Sequence, residues 1–297
     1  MDLVLRQSYR KCEEIARKRA RNFYYAFRVL PKTKRQAMCA IYAFMRYCDD
    51  VSDSTSSAGS KRNDLEEWRS ALDSALAGDY SQNGILPAFH DAVRTFRIPA
   101  EYFHELIDGA EMDLSITRYA TFADLYQYCY RVASVVGLVC IGVFGFRDGS
   151  ANEYAEYCGV AFQLTNILRD IKEDADRGRI YIPQEDLAAF GYSEDDLCRG
   201  VLDDHFRALM KFQVARARKY YDQGMPLVGL VDPISRPGLL AMIGIYTAIL
   251  DRIERNDYDV FSRRISLSKK EKLALAARSA LLAKADWREF ISSARTS

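Results

Sequence analysis

The chain has 297 residues, 49% hydrophobic and 28% charged, a composition that suits a folded globular protein and excludes a disordered one. Lys and Arg total 42 against 41 Asp and Glu, a formal net charge of +1, so no basic excess points to nucleic acid. Any anionic ligand has to be held by local charge.

The N-terminus turns charged at once and has no signal-peptide core. Apolar spacing then predicts helices near 8–28, 34–53, 61–77, 86–95, 99–113, 121–146, 151–174, 203–224, 236–256 and 268–294. Alternating segments closed by hairpin turns are nearly absent, so the fold class is all-α. Breaks fall at 54–60, 78–84, 177–183 and 226–237; the first, SerThrSerSerAlaGlySer, suits either a mobile lid or a surface linker. No repeat and no shift of composition marks a second domain, so residues 1–297 are expected to form one. The longest apolar run, 132–146, is interrupted by Ser134, Gly137, Gly142 and Gly145 and falls short of the roughly 18–20 residues of a spanning helix. Seven cysteines, with no C-x-x-C pair, suit free thiols in a reducing cytosol rather than zinc or a disulfide framework. The expectation is a cytoplasmic protein whose contact with a membrane would be peripheral, on its inner face.

Two Asp-x-x-x-Asp pairs stand out, Asp49/Asp53 and Asp170/Asp174. With 26 aspartates, chance alone supplies about two such pairs, so context has to decide between a ligand site and a solvated face. The second pair continues a helical stripe through Asn166 and Gln163, flanked by Val160, Ala161, Phe162, Leu164, Ile167 and Leu168. Two amides and two carboxylates in an otherwise buried helix need partners, and an oxygen-rich set suits a hard cation such as magnesium. A buried hydrogen-bond network is the competing explanation. Tyr42, Arg46, Asp49 and Asp53 repeat the design, with Arg46 placed to take a phosphate oxygen or simply to pair with acid on its own helix. Together the two stripes make a metal clamp for a diphosphate, which would stabilise the leaving group's charge as a carbon–oxygen bond breaks. No nucleotide-binding glycine loop is present. Aromatic clusters at 23–27 and 126–130 can face a carbocation or simply fill the core, and Gly137 can admit either a ligand or a neighbouring helix. Basic residues at 17–21, with Arg177, Arg179, Arg263 and Arg264, are further phosphate candidates against a solvated default, whereas Arg169 and Lys172 are expected to point off the acidic stripe.

AspAspValSerAsp at 49–53, GluMetAspLeu at 111–114, TyrCysTyrArgValAlaSerValValGly at 128–137 and the run from Gln163 to Pro183 resemble the squalene/phytoene synthase family, from about Arg19 to about Arg264. The resemblance implies an isoprenoid-synthase helical bundle around a central cavity and magnesium-dependent head-to-head joining of two prenyl diphosphates, with manganese as a substitute ion. It implies that Asp49, Asp53, Asp170 and Asp174, with Asn166 beside them, bind metal, and that Arg21, Arg46 and Arg264 meet diphosphate. Tyr128 and Tyr246 would line the cavity and assist catalysis, while Asp113 and Gln163 join the substrate site. One departure is ArgAlaArgAsn at 19–22, where the family often carries small hydroxyl residues. The reaction implied is ionisation of one substrate to an allylic cation, which alkylates the other to a cyclopropyl diphosphate. The expected product is presqualene diphosphate from two farnesyl diphosphates, with NADPH needed only if the reaction runs on to squalene. The alternative is phytoene from two geranylgeranyl diphosphates through prephytoene diphosphate. Remoter readings are a terpene cyclase and a non-enzymatic lipid-binding helical module. Expected partners are the prenyl diphosphates and downstream isoprenoid-pathway enzymes.

Overall fold

Apolar residues recurring every three to four positions draw most of the described residues into helices whose buried stripes meet in one continuous core. The computed structural model describes residues 2–20, 22–80 and 83–283, and among them no strand forms. In chain order the helices are α1 (Leu3–Arg19), α2 (Phe23–Phe27), α3 (Lys32–Ser52), α4 (Ala58–Leu76), α5 (Leu86–Phe96), α6 (Glu101–Ser115) and α7 (Phe122–Cys129). A π-helical turn, Tyr130–Ser134, joins α7 to α8 (Val135–Phe144) without a break, and α9 (Ala151–Asp176) follows. Then come α10 (Gln184–Ala189), α11 (Glu194–Arg199), α12 (Asp204–Gly224), α13 (Leu227–Leu230), α14 (Arg236–Arg255) and α15 (Lys269–Leu282).

Helix α9 is the axis of the bundle: α12, α8 with the π-turn, and α14 all pack against it. Two glycines allow close approaches of backbone to backbone here. A Cβ at Gly159 would stand 2.4 Å from the Ser134 Cα, and one at Gly137 would stand 2.7 Å from the Ala155 carbonyl oxygen. Gly137 thus serves helix–helix contact while still bordering the central cavity. Helix starts carry the expected chemistry: Thr121 and Asp124 form a capping box on α7, Ser268 and Glu271 another on α15, and Asp203 caps α12.

The helical reading is right in class and differs in detail. The segment expected as one helix over 8–28 breaks after Arg19; three basic residues in the last turn of α1 suit its C-terminal dipole, and α2 restarts at Phe23. The break lets Phe23 and Phe27, one turn apart, face the cavity. The proposed lid at 54–60 is shorter than expected, because Ser57 caps α4 and Ala58–Ser60 already belong to it. Helices α10, α11 and α13 lie outside the expected elements, each too short to show a period. The expected helix over 268–294 is seen to Leu282, and 284–297 lie outside the described residues. The path through Phe122–Phe144 is 23 residues, longer than the apolar run suggested and long enough to cross a membrane, but it packs along α9 with 56% of its most apolar window buried. The seven cysteines are unpaired, six of them buried.

Candidate active site

A cavity of about 360 Å³ lies between α2, α3, α6, the π-turn, α8, α9 and α14. Its walls are apolar along most of their length, with Phe23, Phe27, Met38, Ile41, Cys140 and Met242 among them. Asp49, Asp53, Asp113, Asp170 and Asp174 all line the same cavity, so the two aspartate pairs converge and a fifth carboxylate, from α6, joins them.

The electrostatics report how close that convergence is. The Asp49 side chain is 61% accessible, but the access is into the cavity. Burial within the protein, with Asp53, Asp50 and Asp113 adding to it, outweighs Arg46 and pushes the Asp49 carboxyl up to about 7. Asp174 is likewise pushed up to about 7, by burial first and then by Asp170 and Asp113, against Arg177 and Arg179. Asp113 feels Asp53 and itself raises both Asp49 and Asp174, so it sits electrostatically between the pairs. Asp170 behaves oppositely: burial raises it, but hydrogen bonds and charge from Arg169 and Arg264 hold it below the ordinary range.

Arginines from several elements meet these acids. Arg177 donates to Asp53 at 2.9 Å across from α9 to α3, and Arg264 to Asp170 at 2.9 Å with Glu173 at 3.3 Å. Arg46 reaches Asp49 at 3.6 Å but hydrogen-bonds mainly to Asp50, which also takes Arg19. Deeper in, Tyr181 donates to Asp113 Oδ1 at 2.7 Å and Tyr128 to Asp113 Oδ2 at 3.1 Å, with Arg179 beside them. Tyr181 and Arg179 are brought there because the segment after α9 runs alongside 117–120: Ile180 N donates to the Thr117 carbonyl and Gln184 N to that of Tyr119.

Most residues expected at the site are placed there. Gln163 and Asn166 line the cavity, hydrogen-bonded to one another at 3.3 Å, and Tyr128 alone of the 126–130 tyrosines faces it. Tyr126 turns away to Glu156. Two expectations need correction. Tyr246 does not line the cavity: it stands one layer back, its ring 5.4 Å from Phe23 and 4.8 Å from Phe162, with side-chain hydrogen bonds to Asn22 and Asn166. Arg169 does not point off the stripe but lines the cavity and grips Asp170 through Nε at 2.8 Å, because its long side chain folds back along α9. Arg264, expected to meet diphosphate, arrives from the loop after α14 and pairs with Asp170. Lys172 does point away, to Asp176. Arg21 lies outside the described residues. Tyr181 was missed; its only sequence signal was its place in the ArgGlyArgIleTyrIlePro tail after the second acidic pair.

The donor set fits magnesium by its chemistry: hard carboxylate and amide oxygens, with more negative charge than the local arginines neutralise at Asp49 and Asp174. Among the described residues no three His, Cys, Asp or Glu cluster tightly enough to hold an ion by themselves. That suits an ion that keeps water and shares substrate phosphate.

Comparison with known proteins agrees with this geometry. The family model for squalene/phytoene synthase matches residues 16–271. The chain is 40% identical to the 15-cis-phytoene synthase of Synechococcus elongatus over 272 residues, 88% of each chain. It is also 40% identical to the phytoene synthase of Mycobacterium tuberculosis over 276 residues, 92% of this chain and 90% of that one. Among solved structures it resembles a dehydrosqualene synthase in complex with ligand, with a TM-score of 0.87, 28% identity and coverage of 94% and 98%. A squalene synthase from Alicyclobacillus acidocaldarius gives a TM-score of 0.80 at 30% identity, covering 87% and 97%.

Proposed function

Because this chain belongs to the squalene/phytoene synthase family, whose reaction joins two prenyl diphosphates head to head, we propose that its substrate is geranylgeranyl diphosphate and its product phytoene, formed through prephytoene diphosphate. The observation that carries the choice of chain length is the 40% identity, over nearly the whole chain, to phytoene synthases. A second reading, two farnesyl diphosphates joined to presqualene diphosphate, is favoured by the likeness to the dehydrosqualene and squalene synthases.

In either case the residues divide the work in the same way. Asp49 and Asp53 on α3, and Asp170 and Asp174 on α9 with Asn166, would hold magnesium, which when bound supplies positive charge to the diphosphate leaving group. Arg169, Arg177, Arg179 and Arg264 are within reach of the same acids and provide guanidinium forks for phosphate oxygens. The apolar walls receive the prenyl chains and exclude water from the allylic cation left by ionisation. Phe23 and Phe162 offer ring faces to that cation, and Tyr246 behind them keeps both rings and Asn166 in place. Attack of the second substrate's double bond on the cation, with loss of a proton, closes the cyclopropane. The Tyr128 hydroxyl, held by Asp113, is the polar group placed to accept or relay that proton near the leaving diphosphate.

The test is to incubate purified protein with magnesium and either geranylgeranyl or farnesyl diphosphate, then identify products by mass. Phytoene from the first supports the proposal. Presqualene diphosphate or squalene from the second, with no C40 product, supports the second reading. No condensation of either overturns the reaction, and equal turnover with and without a chelator overturns its dependence on a metal.

A further inference from the structure

Three stretches distant in sequence meet at the floor of the cavity. Lys34, in the first turn of α3, donates to the Phe144 carbonyl at 2.5 Å, to Ser235 Oγ at 3.0 Å and to Asp232 at 3.2 Å. Beside this knot the loop after α8 pairs with the loop before α14: Phe146 bridges Val231, Arg147 N donates to the Leu230 carbonyl and Asp232 N to that of Gly145. The start of α14 closes on the α2–α3 turn, since a Cβ at Gly238 would meet Leu30 at 2.6 Å. Cavity-lining Met38, Cys140 and Met242 stand four residues from Lys34, Phe144 and Gly238 respectively, about 6 Å along their helices, so this locus lies one helical turn beneath the cavity lining.

The outer side of the floor has an unusual composition. Residues 28–35, 144–150 and 232–238 carry six Lys and Arg against two carboxylates, in a chain whose total charge is only +1. One of those acids, Asp232, is already taken by Lys34, and the other, Asp148, is turned onto Ser150. Arg28, Lys32, Arg35 and Arg147 make no ion pair among the described residues. On the same set of segments Phe146 and Ile234 project into solvent, 39% and 59% exposed, on adjoining loops. Exposed apolar tips on a face that also carries unpaired cations are what an anionic bilayer surface binds, the ring and the branched side chain entering the headgroup region while the charges meet lipid phosphate. A protein partner would more naturally be offered a groove than two separate tips.

We infer that the cavity-floor face built from residues 28–35, 144–147 and 232–236 docks on an anionic lipid bilayer. The carboxylate rim then faces away from the lipid, because Asp49 lies fifteen residues beyond Lys34 on α3, about 22 Å along the helix. The docking stands on charge and exposure alone and does not depend on which diphosphate the cavity accepts.

The full chain is mixed with sedimentable vesicles of phosphatidylcholine, with and without roughly a quarter phosphatidylglycerol, at about 0.1 M and about 0.5 M salt. Wild type is expected to pellet with the anionic vesicles at low salt and to be released at high salt. Phe146→Ser with Ile234→Ser, and separately Lys32→Glu with Arg147→Glu, are expected to lower the bound fraction at least about fivefold. Both variants should keep the wild-type melting temperature and its turnover in detergent. Wild type that stays in the supernatant with anionic vesicles overturns the inference, as do variants that pellet like wild type. A change in solution mass of the variants without a change in vesicle binding also overturns it, and assigns the face to a second copy of the chain. Loss of turnover by wild type itself would count against the proposed reaction and leave the docking result standing.

Discussion

Asp113 has two hydroxyls fixing its carboxylate, Tyr181 on Oδ1 and Tyr128 on Oδ2, while its charge bears on both aspartate pairs. Replacing it with Asn keeps a hydrogen-bonding side chain of the same shape and removes the charge. Asp113→Asn is expected to fold normally and to slow condensation about 10²-fold, measured as initial product formation at saturating magnesium. Tyr181→Phe, which leaves one carboxylate oxygen without its partner, should cost about 1 kcal/mol in chemical denaturation and a smaller factor in rate. Asp49 and Asp174 carry a pH signature. Both carboxyls are pushed up to about 7, so the fold binds their protons more tightly than the unfolded chain does. Their contribution to stability is complete below about pH 4 and disappears as pH rises through about 7. The melting temperature of the metal-free protein should therefore fall between about pH 5.5 and about pH 8, and Asp49→Asn should flatten that slope in a scanning fluorimetry series. The four paired aspartates of the cavity could be read from the sequence because acids interrupt an apolar helical pattern at a fixed period. Tyr181 could not, because it sits on an irregular segment where no period singles it out. Arg46 was legible as a neighbour of Asp49, but its preference for Asp50 depends on side-chain rotamers that spacing does not express.

Elements were legible wherever a stripe ran for three turns or more. Helices α3, α9, α12 and α14 follow the apolar spacing closely, whereas α10, α11 and α13 are four to six residues long and depend on what they pack against. The break between α1 and α2 has no glycine or proline to announce it, yet it decides where Phe23 and Phe27 point. The π-turn was equally silent in sequence. It inserts an extra residue where α6, α7 and α9 crowd around Tyr130–Ser134, and it is held there by contact with α9. The strength of that contact can be measured. Gly159→Ala forces a methyl to 2.4 Å from the Ser134 Cα, so something must move; the expected loss is about 2–3 kcal/mol in urea unfolding, together with reduced turnover as Tyr128 shifts. Gly149→Ala, with nothing within 4 Å, should change stability by no more than about 0.5 kcal/mol.

At the scale of the molecule, the sequence expectation of a helical bundle with a central cavity holds, and both acidic stripes face that cavity rather than solvent. Composition was misleading on one point. A net charge of +1 suggests an even surface, but the cancellation is uneven: carboxylates at one end of α3 are interleaved with arginines, while cations at the other end are largely unpaired. Such an arrangement was invisible before folding because its members come from separate stretches of chain. Opposite charges separated by about 22 Å along one axis constitute a permanent dipole, and a dipole in a field gradient feels a torque as well as a pull. Approaching a negatively charged plane, the molecule would turn before touching it and arrive with its basic pole leading. Water-borne diphosphates would then meet an open mouth on the opposite pole, and collisions that presented the wrong end would be rotated out rather than wasted.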